Sequence, residues 1–186
     1  MKVLVGAGLV AYAEDSENDN PEKKVGDAAL RSMGSFLVDS GLFDYADIQN
    51  LKNESAKQLA DKVADHLKQN PRRHATLIFH SQGSDIGRRA LAHLNDYKHR
   101  IHVVTMGGIV DIPDSFANRV VNFVDDTDVI AHVAKATFNQ LADQQPMTHT
   151  QVVTKNGECK TAACHGAVDY LKDPVVRKTI SVFVRN

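Results

Sequence analysis

A serine becomes a nucleophile only where a base can take its proton and hydrogen-bond donors can receive the charge that develops on the attacked carbonyl. Ser81 stands in a setting suited to both. It lies in His80-Ser81-Gln82-Gly83-Ser84, between two contrasting patterns. On one side, Ala75 to Phe79 is an apolar, β-branched run that reads as a short buried strand. On the other, Ile86, Ala90 and Leu94 recur every four residues, the core stripe of a helix. No residues are left over for a loop. A strand that turns straight into a helix through such a serine lifts it above the strand's carboxyl end, with helical N–H groups behind it. The Gln82 N–H is then a candidate oxyanion donor. The other requirements are a base and a carboxylate to orient it. Asp125, Asp126 and Asp128 crowd one later segment, and nine histidines are spread along the chain.

With Ser81 in that turn, the chain resembles the α/β-hydrolase fold of serine esterases and lipases, whose signature is G-x-S-x-G. The match is His80-Ser81-Gln82-Gly83, followed by a helix carrying Ala90-Leu91. It departs at Phe79, where the family usually has glycine or another small residue, and which sets a phenyl ring close to the helix side of the turn. The resemblance implies an α/β fold: a mostly parallel sheet with helices on both faces, in a compact three-layer sandwich of the α/β-hydrolase kind. It also implies the chain order serine, acid, histidine. Asn122-Phe123-Val124-Asp125-Asp126-Thr127-Asp128-Val129-Ile130 is similar to the family's acid segment, with Ile130 where a proline is usual. Alignment carries the acid onto Asp128, with Asp125 and Asp126 as rivals. The family's histidine follows the last strand and precedes the C-terminal helix, a place taken by His165, with His149 as the runner-up. The implied activity is hydrolysis of a small-molecule ester or lipid substrate by Ser81, His165 and Asp128. The competing reading is a non-catalytic binding domain on the same fold.

These residues need elements to hold them. Lys2 to Val5 reads as a first strand, and Gly6-Ala7-Gly8-Leu9 as a glycine-rich turn, with Gly8 and Leu9 supplying a second oxyanion N–H. The same run fits G-x-G-x-x-A, but a polar acidic loop follows where a dinucleotide fold needs a helix. Residues 1–13 also weakly resemble a signal peptide. Asp27 to Val38 is expected to be a helix and Tyr45 to Gln49 a weak strand. Ser55-Ala56-Lys57-Gln58 reads as a capping box opening a helix through Leu67, stopped at Asn70-Pro71. That order, βαβαβ, implies a parallel sheet with its site at the strands' carboxyl ends. Ile101 to Met106, Arg119 to Val124 and Met147 to Thr154 complete the strands, with a turn at Asn156-Gly157. The segment from Ala131 to Pro146 is the candidate lid. With no larger insert, the expected pocket is shallow and open.

At 186 residues the chain has the length of one domain, taken as 1–186. A net charge of −1 argues against nucleic acid as a partner, and the lack of an apolar run near 18 residues against an integral span. Cys159 and Cys164 make no disulfide framework, which leans toward a reducing, cytoplasmic setting. With His165 and His149 they match no standard zinc spacing, so no metal and no cofactor is expected.

Overall fold

Five parallel strands carry the protein in a computed structural model that describes residues 3–7, 45–132, 134–135, 150–153 and 165–185. They are β1 (Val3–Ala7), β2 (Ala75–His80), β3 (Ile101–Met106), β4 (Arg119–Asp125) and β5 (Thr150–Val153), side by side in chain order. Every residue of β2 and β3 is buried, which is why both read as unbroken apolar runs rather than alternating ones. Their side chains still alternate in destination. Leu77, Phe79 and Val103 join one core; Ile78, Val104 and Met106 join another on the opposite face.

Helices fill both faces. On the first lie α1 (Tyr45–Gln69) and α2 (Gly83–Ala92), through Ala56, Leu59, Val63 and Leu67 of α1 and Ile86, Ala90 and Leu91 of α2. On the second lie the single turn α3 (Ala167–Tyr170) and α4 (Pro174–Arg185), through Tyr170, Val176 and Phe183. Parallel strands laid down in sequence order take same-handed crossovers, which put α1 and α2 on one face and leave the other to the C-terminal helices. The architecture is of the α/β class.

Two expectations change. Tyr45–Gln49 is not a strand but the opening of α1, so Ser55 lies inside a helix rather than capping one. From Tyr45 to Asn70 there is neither glycine nor proline to break the helix. It stops at Gln69, where both the backbone N–H and the side-chain amide of Asn70 donate to the His66 carbonyl (3.0 and 2.8 Å), just before Pro71. With that strand gone, β1 pairs directly with β2, from Val3 opposite Thr76 to Ala7 opposite His80. Gly6 is therefore a strand residue, opposite Phe79. The expected helix from Asp27 to Val38, most of the candidate lid and the Asn156-Gly157 turn lie outside the described residues. Among those residues no helix is long and apolar enough to cross a membrane.

Candidate active site

At the carboxyl end of β2 the backbone turns directly into α2. Ser81 has φ 53°, the only non-glycine residue with positive φ among those described. A serine in that region costs of order 1–3 kcal/mol and persists only when its surroundings hold it. Here they do. The Ser81 N–H donates to the Met106 carbonyl at 3.2 Å. The Ser81 carbonyl accepts from the Ser84 N–H (3.0 Å), the Ser84 hydroxyl (2.8 Å) and the Ile109 N–H (3.4 Å). Ser84 is fully buried, and its hydroxyl in turn accepts from the Val110 N–H at 3.2 Å. A Cβ on Gly108 would sit 2.9 Å from Ser84 Cβ, so the glycine after β3 is what lets that loop close on the turn.

Phe79 finds its room on α2. A Cβ on Gly87 would lie 2.6 Å from the Phe79 ring. The space that a small residue before the serine would have left open is supplied from the helix instead. Gln82 follows Ser81 in helical geometry at the head of α2. Gly8 and Leu9 lie outside the described residues, but β1 ends opposite His80, one residue from the serine.

The three residues expected to act together are brought together. Ser81 Oγ lies 2.6 Å from His165 Nε2, and His165 Nδ1 is 2.9 Å from both Asp128 oxygens. Asp128 also accepts from the Tyr170 hydroxyl on Oδ2 (2.6 Å) and from the Ala131 N–H on Oδ1 (2.9 Å). Burial works to raise the Asp128 carboxyl, but the bonds from His165, Tyr170 and Ala131 outweigh it and hold its pKa at about 2. An ionised carboxylate can only accept, so His165 Nδ1 carries the proton and Nε2 is left to accept from Ser81. Burial and the bond to Asp128 raise Tyr170, which keeps its phenol a donor.

The acidic segment sorts itself by turn geometry. Asp125 is fully buried, and its Oδ1 takes the Thr127 N–H (2.8 Å) and hydroxyl (2.5 Å), building the turn. Asp126 faces solvent. Asp128 caps the helix that begins at residue 129, where the helix N-terminus also favours a negative charge. Asn122 braces the chain between β3 and β4, its amide donating to the Ile112 carbonyl and accepting the Ile112 N–H, both at 3.0 Å.

Sequence reasoning missed Tyr170 and the role of Gly107. Tyr170 follows His165 by five residues and reads as a core aromatic; only the fold turns its hydroxyl onto a carboxylate. Gly107 has φ +55°, and a Cβ there would meet Asp128 Oδ2 at 2.8 Å. Among the described residues no group of three or more histidine, cysteine or acidic side chains could hold a metal ion. Cys159, Cys164 and His149 lie outside them. Compared with protein-family models, with curated proteins and with solved structures, the chain finds no match in any of the three.

Proposed function

We propose that the protein is a serine hydrolase that cleaves carboxylic esters, with small or lipid-like acyl groups, through Ser81, His165 and Asp128, on a three-layer sandwich of the α/β-hydrolase kind. One observation carries the reading: a serine in a strained strand-to-helix turn, 2.6 Å from a histidine whose other nitrogen rests on a fully buried carboxylate. In the reaction, Ser81 Oγ gives its proton to His165 Nε2 and bonds to the acyl carbon. Asp128 stabilises the imidazolium so formed. The oxyanion is received by the Gln82 N–H and by a second N–H from the chain that leaves β1 beside His80. His165 returns the proton to the departing alcohol, then activates a water that releases the acid and restores Ser81. The fit of Phe79 against Gly87 supports this reading over a domain that only binds, since it removes the packing objection to a working turn.

The test is covalent labelling by a fluorophosphonate probe, alongside turnover of aryl esters of rising acyl length. Wild type should label at one serine and Ser81→Ala should not. Removing a triad nucleophile costs about a million-fold in turnover where such triads have been dissected, so the residual rate should be near background. A folded wild-type protein that resists the probe overturns the proposal.

A further inference from the structure

His80 stands immediately before Ser81, yet its side chain leaves the strand on the α3 and α4 face, below His165. Its ring centroid lies 4.9 Å from that of His165 and 6.3 Å from that of Tyr170. Its Nε2 makes one hydrogen bond, to the main-chain carbonyl of His165. A carbonyl only accepts, so Nε2 carries the proton. The other nitrogen, Nδ1, is buried with no hydrogen-bond partner among the described residues. An apolar side chain would fill this place without leaving a buried polar atom unpaired, a cost of about 1–3 kcal/mol. Among the described residues, what histidine does here that leucine cannot is hold the His165 backbone.

That hold matters because His165 lies outside the strands and the α-helices, as a 3-10 residue two positions before α3. Asp128 fixes its ring at one end, but the reach of Nε2 toward Ser81 also depends on where the main chain sits. We propose that His80 is a positioning residue for His165, so that two consecutive residues of one rigid strand end, His80 and Ser81, grip the same histidine by its backbone and by its ring. The inference rests on reading Ser81, His165 and Asp128 as a triad. Burial, partly opposed by the bond to the His165 carbonyl, keeps His80 below its usual pKa and so neutral beside an imidazole that must itself become charged.

The test compares His80→Leu, which keeps bulk without a donor, with His80→Gln, whose amide N–H can replace Nε2–H. For fluorophosphonate labelling, His80→Leu should lower the maximal rate by about ten- to a hundredfold, the scale of a misplacement near 1 Å, while the half-saturating concentration stays within about twofold. His80→Gln should recover most of the rate. His80→Asn, polar but too short to reach, replaces the leucine variant if that one does not fold. Labelling of His80→Leu at the wild-type rate, or a glutamine variant no faster than leucine with both folded, overturns the proposal. The imidazole NMR signal of the His165 Nδ1–H separates this failure from that of the triad itself. If wild type is not labelled, the triad reading falls. Positioning then stands if the signal is sharp in wild type and glutamine and broadened in leucine, and falls if all three look alike.

Discussion

Each end of β2 carries a pair of close histidines, and the two pairs have opposite surroundings. At the carboxyl end, His80 and His165 lie 4.9 Å apart, with Ser81 and Asp128 on the ring nitrogens of His165. At the amino end, His74 and His102 lie 5.1 Å apart. There His102 Nδ1 donates to the Phe183 carbonyl at 3.2 Å, and its Nε2 faces the Asn118 amide at 3.4 Å. His102 is buried and His165 mostly so, and each of these two has both ring nitrogens engaged. The difference lies in their partners. A carbonyl and an amide satisfy an imidazole and leave it inert; a carboxylate and a hydroxyl arrange it to move a proton. Burial of a histidine therefore says little about chemistry until its two partners are known. The strained backbone follows the same division, since Ser81 adopts positive φ at one end while nothing comparable occurs at the other among the described residues.

The largest effect should come from removing the carboxylate that sets the two pairs apart. Asp128→Asn preserves shape but can leave His165 in the wrong tautomer, and turnover should fall by up to about ten-thousandfold. Asp126→Asn, on the solvent side of the same turn, should be silent in the same aryl-ester assay. Asp125→Asn should act through stability, because its carboxylate builds the turn that carries Asp128. If Asp126→Asn matches the loss in Asp128→Asn, the carboxylate contact at His165 is not what distinguishes the carboxyl-end pair.

Much of the carboxyl end of β2 is legible in residue order, because buried parallel strands leave continuous apolar runs and the passage from Phe79 to Ile86 has no room for a loop. Asp125, Asp126 and Asp128 are harder to tell apart. Three carboxylates in four residues look alike in composition, and they are separated by a turn in which Thr127 occupies one and a helix start presents another. Tyr45 to Gln49 is ambiguous for a different reason: a short amphipathic stretch suits either period, and only the long unbroken helix downstream decides it. Tyr170, His80 and Gly87 act through contacts with residues distant in the chain, and nothing local marks a phenol that will meet a carboxylate 42 residues away. The glycines show the limit most plainly. Gly107 and Gly108 are an ordinary pair in the sequence, and their structural role is to leave space for Asp128 and Ser84.

A smaller effect should follow from Tyr170→Phe. It removes one of the donors to Asp128 and the acceptor of the Asp125 N–H at 2.9 Å, while His165 and the Ala131 N–H still hold the carboxylate. Turnover should fall by about tenfold, roughly 1.4 kcal/mol of barrier. The sign of the pH effect follows from linkage. Asp128 titrates near 2 in the fold against 3.8 ordinarily, so its stabilisation is complete above 3.8 and lost as pH falls toward 2. Without the phenol the carboxyl moves up, and acid unfolding, followed by circular dichroism, should begin at higher pH. An unchanged acid transition would mean that Tyr170 serves packing alone.

The smallest effect belongs to the inert pair, and it shows whether inert means silent to pH. Burial is the main force lowering the pKa of His102, helped by repulsion from His74 and Arg119 and opposed by the bond to the Phe183 carbonyl. Protonating Nε2 would turn its one acceptor site into a donor facing the Asn118 amide, in a site 1 % exposed. A histidine with a lowered folded pKa binds its proton more readily in the unfolded chain. Its contribution is therefore intact above the ordinary value of 6.5 and declines as pH falls below it. His80 is lowered in the same direction, so both ends of β2 should weaken in mild acid, well before Asp128 begins to titrate. His102→Asn keeps a donor for the Phe183 carbonyl but cannot titrate. It should be less stable than wild type at neutral pH, with the gap in thermal midpoint narrowing as pH is lowered through 6.5. A gap that stays constant would assign the acid sensitivity to His80 and leave the amino-end pair as packing without a charge to lose.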